Sequence, residues 1–177
     1  MKRFIRHILA VSTVFFASNA LAHHETNTLD LRPNDPTDEC ILGTQQIRVN
    51  VHGVTHVGIM KLELYASDEG FLHKKGRLRS MRVAAEDGPM VLCIDVPEPG
   101  MYAVAGYHDR NGNRKINKKW DMTPKEPVGI SNGAKMKGLK VPKFEEASFE
   151  VGPTGTEIDF ILVDRKAKKK QKAAEDK

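Results

Sequence analysis

Residues 99–134, PGMYAVAGYHDRNGNRKINKKWDMTPKEPVGISNGA, decide how this chain is read. Pro99-Gly100 is a turn dipeptide, and residues 101–107 (MYAVAGY) are the aromatic, small and β-branched kind that suit a strand. The strand runs into a long polar loop, residues 108–119, in which Asp109, Asn111, Asn113 and Asn117 alternate with other residues. It returns through Pro124-Lys125-Glu126-Pro127 to a small, apolar segment at 128–132. Prolines and Asx residues at this density exclude a helix here and place a loop between β elements.

Working outward, period-two alternation recurs on both sides. Ile47, Val49 and Val51 alternate with Arg48, Asn50 and His52, and Met60, Leu62 and Leu64 alternate with Lys61, Glu63 and Tyr65. Each run is a half-buried strand, and the turn at 53–58 predicts that the two form a hairpin. Residues 77–84 alternate weakly, Glu86-Asp87-Gly88-Pro89 is a turn, and 90–96 is a short apolar strand. Residues 147–151 and 157–163 give two further strands around Gly152-Pro153-Thr154-Gly155. With no helical periodicity, about seven short strands at hairpin spacing predict an all-β fold, a single antiparallel Greek-key β-sandwich with one long polar loop. The domain spans residues 45–164, long enough to bury a real core.

Residues 1–22 read as an export signal. Lys2, Arg3 and Arg6 precede a short apolar run at 8–17, and Ala20-Leu21-Ala22 is a small-residue cleavage site. The apolar run is too short for an anchor, and no transmembrane segment is expected after cleavage. A periplasmic or secreted location follows, and in that oxidising space Cys40 and Cys93 are expected to form one disulfide. Residues 23–44 are a polar, extended lead-in. His23 and His24 would stand at the new amino terminus, where an amine beside an imidazole can hold copper.

The charge is unevenly spread. Residues 110–143 hold ten basic and two acidic side chains, whereas 144–164 hold no basic and six acidic ones. The tail, 165–177, holds seven basic and two acidic residues and reads as disordered, with contact to anionic lipid or polymer as its sharper role. Nucleic acid is not expected, because no aromatic series interleaves with the basic residues and Trp120 stands alone among them.

Pro99-Gly100-x-Tyr102-Ala103-Val104, His108-Asp109-x-Asn111-x-Asn113, Pro124-Lys125-Glu126, Ser131-Asn132 and Pro142-x-Phe144-x-x-Ala147-x-Phe149 together resemble domain-of-unknown-function family 2141. The resemblance covers about residues 45–163 and implies a small exported bacterial protein with a transthyretin-like or immunoglobulin-like β-sandwich. It implies no activity. Two positions depart from the family pattern: Arg114 stands where glycine is usual, and Asn117 where aspartate is usual.

Asp109, Asn111, Asn113, the Lys115 carbonyl and Asn117 have the one-three-five-seven-nine spacing of oxygen ligands around Ca²⁺. The twelfth position is Trp120 rather than an acid, and the surrounding Arg and Lys residues oppose a cation. An Asx-turn-rich loop held by its own hydrogen bonds is the simpler expectation. A second site is expected on the loop's basic edge, at His108, Arg110, Arg114, Lys125, Ser131 and Asn132, for an anionic polymer or small ligand. No nucleophile, base or metal set is arranged for catalysis: Ser131 lacks a nucleophile-elbow context, and the histidines are scattered. The expectation is a non-catalytic binding or structural module of the bacterial cell envelope without a cofactor. A Ca²⁺-binding module is the alternative, and a copper-handling or hydrolytic protein is the second alternative.

Overall fold

The computed structural model describes residues 38–136 and 140–165. The expected export signal, the amino-terminal histidines and the basic tail beyond Arg165 lie outside them. Strand β1 (Gln46–Val54) turns Ile47, Val49 and Val51 inward, all fully buried, and pairs antiparallel with β4 (Gly88–Asp95). On its other side β1 pairs in parallel with β8 (Thr156–Ile161), which completes a three-stranded sheet. The second sheet runs β3 (Arg79–Ala84), β2 (Ile59–Tyr65), β5 (Gly100–Asp109), β6 (Val128–Ile130), and β7 (Phe149–Val151) pairs the start of β5.

The inward rows of both sheets meet in one core. Ile47, Val49 and Val51 pack with Met60, Leu62 and Leu64 of β2, Tyr102 and Val104 of β5, and Phe160 of β8. Each fully buried aliphatic or aromatic side chain contributes about 1.5–3 kcal/mol, so this row from alternating sequence is what holds the sheets face to face. The all-β sandwich expected from the strand pattern is the fold observed.

Three local features differ from expectation. β1 and β2 do not form a hairpin, because Gly53 and Gly58, both at positive φ, carry the chain from one sheet to the other. The β1–β8 pair is parallel within a mainly antiparallel fold. A four-residue helix, α1 (Phe144–Ala147), precedes β7, its first turn closed by the Lys143 N–H donating to Glu146 Oε2 at 2.7 Å. Phe144 then stacks edge-on against Phe71, and Phe71 against Tyr65, in a second apolar cluster on the outer face of β2 and β5.

Two fastenings fix the periphery. Cys40 and Cys93 are joined, with their Cα atoms 5.2 Å apart and a sequence separation of 53. On the loop-entropy account that link stabilises by about 4 kcal/mol. Asp38 beside it accepts from both Arg79 guanidinium nitrogens, at 2.6 and 2.9 Å. On the opposite seam, β6 lies against β8 so closely that a Cβ on Gly129 would meet the Phe160 ring at 2.6 Å, and only glycine fits there.

Candidate functional site

The long loop grows from one end of the second sheet, and the sheet register places its roots. β5 and β6 pair Ala105 with Ile130, Gly106 with Gly129 and Tyr107 with Val128, and the ladder extends one step as the His108 N–H donates to the Pro127 carbonyl at 2.9 Å. The ladder ends there, and Asp109 and Glu126 are the next residues on each side as the chain leaves β5 and returns to β6. Two carboxylates therefore flank the mouth of the loop, and both are buried, Asp109 at 1% exposure and Glu126 at 8%.

Each carboxylate is half satisfied. Asp109 Oδ2 accepts from the Arg114 N–H at 2.6 Å, and Glu126 Oε1 accepts from Asn117 Nδ2 at 2.7 Å. Asp109 Oδ1 and Glu126 Oε2 have no hydrogen-bond partner among the described residues. A buried, unpartnered carboxylate oxygen is costly. The rest of the loop winds around them through Asx turns. Asn111 Oδ1 accepts from the Asn113 N–H at 3.3 Å, Asn113 Oδ1 from the Lys115 N–H at 2.9 Å, and Asn113 Nδ2 donates to Asn117 Oδ1 at 3.2 Å.

Arg114 adopts φ 65, the left-handed conformation for which glycine is the usual residue, and this lets its N–H fold back onto Asp109. Gly58 supports the same root from the other side: a Cβ there would meet the Asp109 carbonyl oxygen at 2.0 Å. Arg110 ties the root to the segment just past β8, donating to Asp164 at 2.7 Å. His108 is fully buried, and its Nε2 donates to the Val57 carbonyl at 2.6 Å, which leaves Nδ1 as a buried lone pair. Burial holds the imidazole below its ordinary pKa, so it stands neutral.

The expected sites are thus distributed unevenly. Asp109 is bonded to the Arg114 N–H and Asn113 is linked through Asn117 to Glu126, while Asn111, Asn113 and Lys115 are exposed. Of the six residues expected on a ligand-binding edge, Lys125 and Asn132 are exposed and Arg110 and Arg114 are half-buried. His108 and Ser131 are not surface residues. The Ser131 hydroxyl accepts from the Val104 N–H at 2.9 Å and donates to the Ala147 carbonyl at 2.6 Å, so it joins β5 to the end of α1.

A family model described as "Uncharacterized protein conserved in bacteria (DUF2141)" matches residues 49–159. The chain belongs to that family. The matched span of this DUF2141 protein takes in the whole loop and both carboxylates, and it leaves out Cys40. No curated protein and no solved structure matches the chain.

Sequence reasoning missed Glu126, although the Pro124-Lys125-Glu126-Pro127 segment was in view. The loop's ligand spacing ends at its twelfth position, Trp120, whereas Glu126 stands at the far root, where the chain enters β6. A buried charge network on the outer face of the second sheet was also missed. Glu63 pairs with Lys61 and Arg77 and accepts from the Tyr65 hydroxyl at 2.9 Å, and the Lys61 ammonium lies 5.3 Å from the centre of the Tyr107 ring. Burial pushes the Glu63 carboxyl up, but its cationic and hydroxyl partners outweigh this and hold it below the ordinary value. Among the described residues no three His, Cys, Asp or Glu side chains converge, so any cation at the loop must rely on two carboxylates with amide and carbonyl oxygens. That oxygen-only donor set suits a hard cation such as Ca²⁺ and not a soft transition metal.

Proposed function

We propose that this protein is an exported, non-catalytic β-sandwich of the bacterial cell envelope whose loop 109–117, closed by Glu126, takes up Ca²⁺. The observation that carries this reading is the pair of buried carboxylates at the two roots of the loop, each with one oxygen partnered and one oxygen free. Asp109, Asn111, Asn113 and the Lys115 carbonyl supply the first turn of ligands, Asn117 the next, and Glu126 the carboxylate that the loop itself lacks. The fold-back of the Arg114 N–H onto Asp109 preorganises that turn. Export is supported by the charged head, apolar run and small-residue cleavage site of residues 1–22.

The test is thermal unfolding of the mature protein in EDTA and then in millimolar Ca²⁺ or Mg²⁺. A cation that binds only the folded state raises stability by mass action, by about 2.7 kcal/mol when its concentration is 100 times Kd. The expected result is a Ca²⁺-dependent rise that Asp109→Asn and Glu126→Gln each remove. Equal melting in EDTA and Ca²⁺ sinks the reading and leaves a loop held by its own hydrogen bonds.

A further inference from the structure

Beyond the two carboxylates, the loop narrows into an ordered hairpin over residues 117–125. The Lys125 N–H donates to the Asn117 carbonyl at 2.8 Å, Lys118 bridges to Pro124, and the Lys119 N–H donates to the Thr123 carbonyl at 2.9 Å. At the apex the Met122 N–H donates back to the Lys119 carbonyl at 3.0 Å, with Met122 at φ 61. This is a three-residue hairpin turn ending in a left-handed residue, a geometry that holds its shape without a partner. Asp121, the one acid at the apex, is turned back to accept from the Thr123 N–H at 3.0 Å.

What this hairpin presents is unusual for a soluble surface. Trp120 is 96% exposed, Met122 53% and Ile116 39%, and Lys115, Lys118 and Lys119 are exposed around them. Trp120 is the chain's single tryptophan, so its largest apolar side chain stands almost entirely in solvent. The feature is convex. A small ligand needs a concave site that covers most of its surface, and a protruding apex does not provide one. An apolar tip ringed by ammonium groups does match a flat interface with anionic headgroups above hydrocarbon. Tryptophan favours that boundary, and lysine stems can lie along it with their charges in the headgroup layer.

We propose that the 117–125 hairpin docks on an anionic phospholipid surface, with Trp120 and Met122 entering the interface and Lys115, Lys118 and Lys119 on the headgroups. The proposal does not depend on the cation at the loop roots. A saccharide stacked on Trp120 is the competing occupant. Met122 and Ile116 beside it offer that ligand no hydrogen bonds, whereas they suit hydrocarbon.

The experiment uses the full mature chain with vesicles of phosphatidylcholine alone or mixed equally with phosphatidylglycerol. Trp120 reports its own environment. The expected result is a blue shift of its emission on the anionic vesicles only, with quenching by brominated acyl chains. In co-sedimentation, Trp120→Ala is expected to weaken binding at least tenfold, and Lys118→Gln or Lys119→Gln about fivefold each at low salt. Met122→Ser gives a second apolar variant if Trp120→Ala disturbs the turn, and far-UV circular dichroism checks the fold of each. Binding without a blue shift that disappears when Lys168, Lys169 and Lys170 are changed to Gln would assign attachment to the tail and overturn the proposal. An absence of vesicle binding overturns it too, as does a Trp120 response to an acidic polysaccharide with none to vesicles.

Discussion

Ser131→Ala tests whether this residue is a fastening or a ligand contact. Its hydroxyl is fully buried and makes two bonds at once, accepting from the Val104 N–H and donating to the Ala147 carbonyl. Alanine leaves both backbone groups buried and unpaired. Each such group costs about 1–3 kcal/mol, so the pair predicts a loss of roughly 2–6 kcal/mol, with the space of a single oxygen too small to admit a compensating water. Urea unfolding of the mature protein, followed by far-UV circular dichroism at unchanged slope, measures this directly. Asn132→Ala is the control. Asn132 is exposed and its side-chain contacts, to the Glu146 and Ser148 carbonyls, are both at 3.5 Å, so a change within about 0.5 kcal/mol is expected. A Ser131→Ala loss no larger than the control's would refute the reasoning.

Gly129→Ala should destabilise by about 1–3 kcal/mol in the same assay, because its Cβ must displace the buried Phe160 ring, and Gly129→Val should cost more. Glu63→Gln leaves Lys61 and Arg77 without their carboxylate partner and should cost about 3–5 kcal/mol at neutral pH. The same variant should flatten the acid limb of the stability profile. The Glu63 carboxyl is held below its ordinary 4.5 in the fold, so the unfolded chain takes up the proton first, and the wild type loses this stability as pH falls below about 4.5. A pH titration of the urea midpoint for both proteins checks the sign.

The strands could be read where one face is buried, because burial of Ile47, Val49 and Val51 forces a period of two that no loop imitates. Strand partners could not be read the same way. Alternation tells which face a residue occupies but not which strand lies beside it, so β1 and β2 looked like a hairpin although they belong to different sheets. β6, three residues with a central glycine, and α1, four residues, are too short to show any period. In the loop, Asp109 and the Asn series were legible because an Asx-turn loop writes its polar side chains in sequence order. Glu126 was not, because it lies outside the loop's own spacing, at the far root where the chain enters β6, and only the fold buries it there.

That placement also changes how the loop's own charges weigh. In sequence, ten basic side chains against two acidic ones over residues 110–143 argue strongly against a cation. In the fold, Lys115, Lys118 and Lys119 point into solvent, where a unit charge about 10 Å away acts with only ~0.4 kcal/mol through water and less in salt. Asp109 and Glu126 are buried, where the same Coulomb law acts through a medium far less screening than water. The buried carboxylates, with half-buried Arg110 and Arg114 beside Asp109, set the field at the loop's root, and the lysines dominate it at the tip. One segment can hold a cation at its base and face an anionic surface at its apex, because the two sets of charges are separated by exposure rather than by sequence.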